Sequence, residues 1–330
     1  MSTCCIAFDL EGPLSPQDAA FEVMGQIPNG RHIFRAISLY DDILALAGQP
    51  DYEPGDTLAL IVPFLVAHGI GESEIRQLAM AATLVDGAPE TVAELTSRGY
   101  QVFAITSSYH QHALTITARL GIQHDRVACT AFPIEELKAQ VDSAELAMVA
   151  TIEKELSQID LDSDQTTLRR VLDDFYWQRL PRTSLGKAIS SIKPVGGRRK
   201  VAALQRFASA TGLEISGWIA VGDSITDSAM LTAVREGGGL AVAFNANKYA
   251  LEFATVGLAS TSLKDILPLV TSWEEGGLER VRGFVSETAK DADAPGPHYQ
   301  WLLDRAGVEK SLVIHARFRQ LVREAAASLG

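Results

Sequence analysis

The organisation of the chain follows from one stretch near its start, Ile6-Ala7-Phe8-Asp9-Leu10-Glu11-Gly12-Pro13-Leu14-Ser15. The apolar residues predict a buried strand that delivers Asp9 to the edge of a sheet, where Gly12 and Pro13 break the strand. Asp9 and Glu11 lie two residues apart, so they share a face in an extended segment and reach one bound ion in a turn. A carboxylate at a strand end can act as a nucleophile or as a metal ligand. The plainer alternative is a solvent-exposed strand end, and partners elsewhere in the sequence decide between the two.

Composition limits the class of protein. The 330 residues are 47% hydrophobic and 21% charged, which fits a folded globular protein. The net charge of −12 argues against a nucleic-acid scaffold or a polybasic membrane binder, so an anionic substrate must be drawn in by a local site such as a metal ion. Neither a signal peptide nor an apolar run of about 20 residues is present, and the three cysteines lack zinc-ligand spacing. We therefore expect a soluble protein of the reducing cytoplasm that binds no nucleic acid and no membrane.

Apolar runs alternate with helical patterns along much of the chain. Predicted strands cover residues 4–10, 100–105, 126–130, 216–221, 240–244 and 256–259. This alternation favours an α/β fold with an open, mainly parallel, Rossmann-like sheet sandwiched by helices. Asp9, Thr106 and Asp223 each follow a predicted strand, and ligands of such sheets bind outside the carboxyl ends of the strands. These polar residues therefore indicate a single site.

The same pattern predicts the domain organisation. The core is assigned to residues 1–14, 86–131 and 193–270, with a helical cap insertion at 15–85, a second helical insertion at 132–192 and a C-terminal helical extension at 271–330. Within the extension, an exposed loop is predicted at 291–297 and an amphipathic helix at 311–329. That helix carries Arg317, Arg319 and Arg323. We expect it to pack on the sheet, or on a second copy of the chain in a homodimer, rather than to bind an anion.

The polar groups at the strand ends suit the chemistry of phosphate. Asp9 and Asp223 could share Mg²⁺, which takes one or two carboxylates together with waters and phosphate oxygens. The Thr106 hydroxyl, with backbone N–H groups near Ser107, could bind a phosphoryl oxygen. Lys200 supplies a compact cation at the start of a predicted helix. Together these groups suit phosphoryl transfer, in which positioning and neutralisation of charge supply most of the catalysis.

In these motifs the sequence resembles the haloacid dehalogenase-like (HAD) phosphohydrolases, nearest to their phosphoserine-phosphatase branch. Four motifs in the family's order carry the resemblance: Asp9-Leu10-Glu11-Gly12, Thr106-Ser107-Ser108, Lys200 before Val-Ala-Ala-Leu, and Gly222-Asp223-Ser224-Ile225-Thr226-Asp227. The resemblance covers the predicted core, and the insertions at 15–85 and 132–192 fall at the family's cap positions. It implies a HAD core with helical caps.

The resemblance also implies a Mg²⁺-dependent phosphohydrolase with an aspartyl-phosphate intermediate on Asp9. Glu11 would protonate the leaving group and then activate water, at a position where most of the family has Asp. The implied phosphate-binding groups are Thr106, Ser107 and Lys200. The implied metal set is Asp9, Glu11, Asp223 and Asp227, in which Glu11 acts through its backbone carbonyl and Asp227 orders a metal-bound water or holds Lys200.

Caps select the substrate in this family, and here we expect a small phosphorylated metabolite. Asp18 and Glu22 lie just past the first motif, where phosphoserine phosphatases place an acidic group for the substrate amine. Arg31 and Arg35 are the nearest cap candidates for binding a substrate carboxylate.

The sequence leaves two other functions open. Glu in place of Asp at this position occurs in both phosphatase and phosphotransferase relatives, so Glu11 leaves open a phosphotransferase that passes the phosphoryl group to an alcohol acceptor. The third hypothesis is a catalytically silent binding or regulatory protein on the same fold. The retention of the whole motif set argues against this third hypothesis: Asp9, Glu11, Lys200, Asp223 and Asp227.

Overall fold

A mainly parallel sheet forms the framework of the computed structural model, which describes residues 4–303 and 305–328. Its seven strands are β1 (Cys5–Phe8), β2 (Gln101–Tyr109), β3 (Val127–Thr130), β4 (Trp218–Gly222), β5 (Leu240–Phe244), β6 (Val256–Ala259) and β7 (His298–Trp301). They lie in the order β3-β2-β1-β4-β5-β6-β7, and every neighbouring pair is parallel except β6 and β7. The prediction of a mainly parallel, Rossmann-like α/β sheet is confirmed.

Helices cover both faces of this sheet and fill the two insertions. Before β3 they are α1 (Ala19–Met24), α2 (Gly30–Leu46), α3 (Thr57–Leu60), α4 (Val62–Ala67), α5 (Glu72–Ala81), α6 (Ala88–Ser97) and α7 (His110–Arg119). After β3 they are α8 (Ile134–Gln140), α9 (Ser143–Leu156), α10 (Gln165–Asp173), α11 (Ser184–Ile189), α12 (Arg198–Thr211), α13 (Ser228–Glu236), α14 (Lys248–Phe253), α15 (Leu267–Glu287) and α16 (Arg305–Ser328).

The central part of the sheet positions the first motif. All residues of β1 are fully buried, because Ile6 and Phe8 pack into the apolar cluster on one face and Cys5 and Ala7 pack into the cluster on the other. A strand buried on both faces reads as a continuous apolar run, which explains why the sequence identified it. The strand is hydrogen-bonded to β2 on one side and to β4 on the other. The residue after β1, Asp9, therefore lies between the ends of two neighbouring strands.

The strand β2 is longer than the sequence predicted. The predicted strand stops before Thr106, whereas β2 continues through the second motif to Tyr109. Thr106 and Ser108 are fully buried, and the Tyr109 ring stacks on Phe132 with the ring centroids 3.9 Å apart. Because the motif residues are polar, a search for apolar runs ends the strand too early. The second motif lies within the strand itself, not after it.

The two helical insertions share one apolar core. Helices α1–α5 lie between β1 and β2, and α8–α11 lie between β3 and β4. Tyr40 stacks on Tyr176 across the two insertions with ring centroids 6.1 Å apart, and Phe64 meets Phe175 at 6.2 Å. The insertions therefore form a single helical body, which we call the cap.

The sequence analysis predicts a C-terminal extension made of helices, but the structure of this segment also contains a strand. This strand is β7, which pairs antiparallel with β6 at the edge of the sheet. This four-residue strand has mixed polarity and follows the predicted loop at 291–297, so no apolar run indicates it. The helix predicted at 311–329 begins earlier, at Arg305, and its predicted last residue lies outside the described part of the chain.

Within the described residues, no single helix has the length and apolar character needed to cross a membrane. One pair of helical segments, Thr57–Ala67 and Glu72–Ala81, meets the length and composition requirement jointly, with a bend of 118° between them.

Candidate active site

The first and fourth motifs meet at the carboxyl ends of β1 and β4. The Asp9 backbone N–H donates to the carbonyl of Val221 at 2.8 Å, which ties the end of β1 to the end of β4. Asp223 follows β4 directly, and both aspartates are buried, with 4% and 5% of their surface exposed. The parallel register therefore brings together two carboxylates that lie more than two hundred residues apart in the sequence.

Asp227 completes a compact cluster with Asp9 and Asp223. One carboxylate oxygen from each lies within 4.8 Å of the others, and all three residues are buried. The Asp227 Oδ2 accepts hydrogen bonds from the backbone N–H groups of Asp223, at 3.0 Å, and Ser224, at 3.1 Å. Burial and the neighbouring Asp227 carboxylate raise the pKa of Asp9 well above its ordinary value. A buried set of hard oxygen donors with excess negative charge fits a divalent cation such as Mg²⁺.

Lys200 is the cation already built into this cluster. It lies in the first turn of α12, is fully buried, and places its Nζ 2.8 Å from Asp9 Oδ1 and 2.6 Å from Asp227 Oδ1. Burial alone would lower the pKa of Lys200, but Asp227 and Asp9 favour the charged form and hold the pKa above its ordinary value. The ammonium group therefore stays charged beside Asp9.

The Glu11 carboxylate lies outside the aspartate cluster. Its Oε1 accepts a hydrogen bond from the Ser108 hydroxyl on β2, so its carboxylate is not part of the group formed by Asp9, Asp223 and Asp227. The metal ligand predicted at this position is the backbone carbonyl of Glu11, and the position of the side chain leaves that prediction unchanged. Burial, reinforced by the nearby Asp18 carboxylate, raises the pKa of Glu11 to about 8. Burial therefore favours the protonated form of the Glu11 carboxyl.

The second motif contributes unequally to the site. Ser107 lines the cavity described below, whereas Thr106 is fully buried and its hydroxyl accepts from the Ser108 N–H at 3.1 Å. Thr106 therefore organises the end of β2, and Ser107 is the member of this predicted pair that lines the cavity.

A cavity of about 160 Å³ opens in front of Asp9. The core and the cap both line it, through Asp9, Glu11, Ser107, Asp223, Phe34, Ser38, Asp41 and Thr57. This volume is below the range of about 300–1,000 Å³ typical of sites for drug-sized ligands. The site is sized for a small molecule.

The loop at 53–56 fastens the cap over this cavity. Arg198 donates through Nε to Glu53 Oε1 at 2.5 Å, and Arg199 forms an ion pair with Asp56. A Cβ at Gly55 would lie 3.2 Å from the Thr226 side chain, so the loop approaches the fourth motif closely. The basic start of α12 therefore anchors the cap as well as supplying Lys200.

Of the four cap residues predicted to bind substrate, the two acidic residues line a cavity beside Asp9 or next to it, and the two arginines do not. Asp18 lines the cavity and caps α1 by accepting from the Phe21 N–H at 3.0 Å. Glu22 lines an adjoining outer cavity of about 380 Å³. Arg31 and Arg35 border neither cavity, because Arg31 lies over the Phe21 ring and Arg35 pairs with Asp162 at 2.6 Å. The structure thus does not bring the predicted cap arginines to the site.

The cationic residues that do reach the cavity are on α16, where sequence reasoning expected only packing. Arg319 and Arg323 both line the cavity, and Arg319 Nη2 lies 2.9 Å from Asp223 Oδ2. Their spacing of four residues places them on one face of the helix. That spacing was a usable signal, but the sequence alone does not indicate that the C-terminal helix docks on β6 and β7, within reach of Asp223.

Comparison with known proteins identifies the fold. No protein-family model matches the sequence, and no curated protein matches it significantly. A solved gene product of Archaeoglobus fulgidus is 26% identical, with a TM-score of 0.83, and the match covers 98% of this chain and 99% of that chain. A phospho-aspartyl intermediate analogue of phosphoserine phosphatase is 18% identical, with a TM-score of 0.54 and coverage of 81% and 99%. An apo phosphoserine phosphatase is 16% identical, with a TM-score of 0.52 and coverage of 81% and 98%.

These matches show that the chain has the haloacid dehalogenase-like fold of the phosphoserine phosphatases. The resemblance inferred from the four motifs is confirmed at the level of fold.

Proposed function

We propose that this protein is a Mg²⁺-dependent phosphohydrolase that cleaves a small-molecule phosphate monoester through an aspartyl-phosphate on Asp9. The observation that carries the proposal is the position of Asp9. Asp9 directly follows β1, and its carboxylate contacts the buried Lys200 at 2.8 Å, adjoins Asp223 and Asp227, and lines a small cavity. A nucleophile paired with a fixed cation at the carboxyl edge of a parallel sheet suits phosphoryl transfer. The likeness in fold to a phospho-aspartyl analogue of phosphoserine phosphatase supports the same choice.

The roles of the side chains follow from their places in the site. An Asp9 carboxylate oxygen attacks phosphorus, and the bond from phosphorus to the ester oxygen breaks. Glu11 gives its proton to the departing oxygen, which leaves as an alcohol. Glu11 then takes a proton from a water that attacks the phosphorus, releasing inorganic phosphate and restoring Asp9. Lys200 stays between Asp9 and Asp227 and offsets the negative charge throughout.

Asp9, Asp223 and Asp227 are the side chains that would hold or orient the metal. Bound Mg²⁺ would supply positive charge against the phosphate oxygens and so reverse their repulsion by the acidic site.

The direct test is phosphate release from a panel of small phosphate monoesters and p-nitrophenyl phosphate, with Mg²⁺ and with EDTA. We expect release that requires the metal. Transfer of the phosphoryl group to added glycerol, with little free phosphate, would instead establish the phosphotransferase. Absence of both products with every substrate would contradict the proposal and favour a binding role.

Replacing Glu11 with glutamine should lower kcat/KM for an alkyl phosphate by about 10²–10⁴-fold, because the leaving alkoxide loses its proton donor. The loss should be smaller for p-nitrophenyl phosphate, whose leaving group departs readily without a proton. Glu94→Gln makes the same change on the exposed face of α6 and should leave both values unaltered. Equal losses for the two substrates would contradict the role of Glu11 as an acid.

Replacing Gly12 with alanine should disturb both stability and turnover. Gly12 has a φ of +97°, and a Cβ there would lie 2.5 Å from Asp223 Cγ. We expect the free energy of unfolding to fall by about 1–3 kcal/mol and phosphate release to fall by about 10²-fold. Gly48 has a φ of +64° with nothing within 4 Å of its Cβ position, so Gly48→Ala isolates the backbone strain. If urea unfolding shows that Gly12→Ala is folded and the variant still releases phosphate at the full rate, then turnover does not depend on a fixed position of Asp223.

A further inference from the structure

Two arginines of α16 form part of the cavity wall. Arg319 lines the inner cavity and contacts Asp223, whereas Arg323 lines both the inner cavity and the adjoining outer cavity. Four residues, or about 6 Å along the helix axis, separate the two positions. The pair therefore runs outward from the carboxylate cluster toward the outer cavity.

The core holds this helix firmly in place. His315 is fully buried, and its Nδ1 accepts a hydrogen bond from the Ala246 N–H at 2.9 Å. Phe318 is buried beside the His298 ring, with the centroids 5.6 Å apart. Arg319 follows directly in the chain, so its backbone position is set by these contacts. The two guanidinium groups are thus presented by a docked helix rather than by a loop.

The charges that line the inner cavity indicate that the two arginines can bind an anion. Its carboxylates are Asp9, Glu11, Asp18, Asp41 and Asp223. Among the described residues that line the cavity, the cationic side chains are Arg319 and Arg323. Among the described residues, the Arg323 guanidinium forms no side-chain hydrogen bond or close ion pair, although the Asp223, Asp18 and Glu11 carboxylates lie near enough to favour its charge. Its planar fork of donors is therefore available to a ligand.

The reacting phosphate does not account for these arginines. That phosphate must lie against Asp9, where Lys200 already provides a cation at 2.8 Å. Arg323 is one turn further out and borders the outer cavity together with Asp18. A divalent cation at Asp223 would take over the neutralisation of that carboxylate and leave Arg319 available to an anion as well.

Building on the proposed function, we propose that Arg319 and Arg323 form a subsite for a second anionic group of the substrate. The substrate class is then a small phosphate monoester that carries a carboxylate or a second phosphate a few atoms from the reacting phosphate. A guanidinium binds either group through paired, charge-assisted hydrogen bonds. The small cavity, about 160 Å³, limits the carbon chain between the two groups.

Three substrates with the same three-carbon chain test this subsite. They are propyl phosphate, 3-(phosphonooxy)propanoate and 1,3-propanediol bisphosphate. We expect kcat/KM to be at least about tenfold higher for one or both of the doubly anionic substrates than for propyl phosphate. The better of the two identifies the second group as carboxylate or phosphate. In Arg323→Gln this ratio should fall toward one, while Arg317→Gln, which removes a charge from the same helix outside the cavity, should preserve it.

Binding of non-hydrolysable phosphonates keeps the subsite testable without turnover. Calorimetry of the full chain with Mg²⁺ should show 3-phosphonopropanoate or 1,3-propanediphosphonate binding at least about tenfold more tightly than propylphosphonate. Arg323→Gln should remove this difference. An equal affinity for all three phosphonates, or a difference that survives Arg323→Gln, would overturn the subsite even if propyl phosphate is hydrolysed. Selective binding without hydrolysis of any of the three esters would keep the subsite and reject the proposed hydrolysis.

Discussion

Replacing Asp9 with asparagine is expected to reduce phosphate release by at least about 10⁴-fold, which is the order of loss seen when an enzyme's nucleophile is removed. The amide has nearly the same shape as the carboxylate, but it cannot form the bond to phosphorus. The backbone contact from the Asp9 N–H to Val221 does not involve the side chain and should persist. We therefore expect circular dichroism and the urea midpoint to remain those of a folded protein.

Asp125→Asn provides the matched control for this change. Asp125 is exposed in the turn before β3, so the same substitution there should leave phosphate release unaltered. Turnover that survives in a folded Asp9→Asn protein would exclude Asp9 as the nucleophile.

Replacing Lys200 with methionine should produce the largest loss of stability. The methionine fills much of the same volume but leaves Asp9 and Asp227 facing each other without the ammonium group that lies within 2.8 Å of both. Breaking a buried ion pair by removing one partner lowers the free energy of unfolding by about 3–5 kcal/mol, and we expect a loss of this order in urea at pH 7. Phosphate release should also fall, by about 10²–10³-fold, because the developing negative charge loses a fixed cation.

The pH dependence of the stability lost in Lys200→Met distinguishes the loss of a charge from the loss of packing. Burial and Asp227 raise the pKa of Asp9 above its unfolded value, so the ionised carboxyl destabilises the fold where pH exceeds that unfolded value. As pH falls and Asp9 takes up a proton in the variant, the deficit relative to wild type should shrink. Lys187→Met removes an exposed lysine of α11 and should change stability by no more than about 0.5 kcal/mol. A Lys200 deficit that is constant from pH 5 to 8 would indicate lost packing instead.

Much of this site was predictable because the apolar strands end at its polar residues. β1 and β4 are buried on both faces, so their sequences are continuous apolar runs and their ends are easily located. Asp9 and Asp223 follow those ends directly. Lys200 was identified by its place in the third motif, and the structure puts it against Asp9.

The remaining parts of the site depend on contacts between distant segments. Ser108 lies in the polar end of β2, which the pattern of apolar residues did not predict as strand. Its hydrogen bond to Glu11 could therefore not be anticipated. Arg35 forms an ion pair with Asp162 of the second insertion and not with the cavity. The two insertions share an apolar core, and local sequence patterns do not predict that contact. Arg319 reaches Asp223 because α16 docks beside β6 and β7, and the sequence did not indicate β7.

Trapping the phosphorylated chain tests the central claim most directly. The protein is mixed with Mg²⁺ and a ³²P-labelled monoester that it hydrolyses, quenched in acid within milliseconds to seconds, and digested. We predict a label that hydroxylamine removes, as expected for an acyl phosphate, on the peptide that contains Asp9, and no label in Asp9→Asn. Steady release of phosphate with no labelled chain at any quench time, or a label on another residue, would contradict the account.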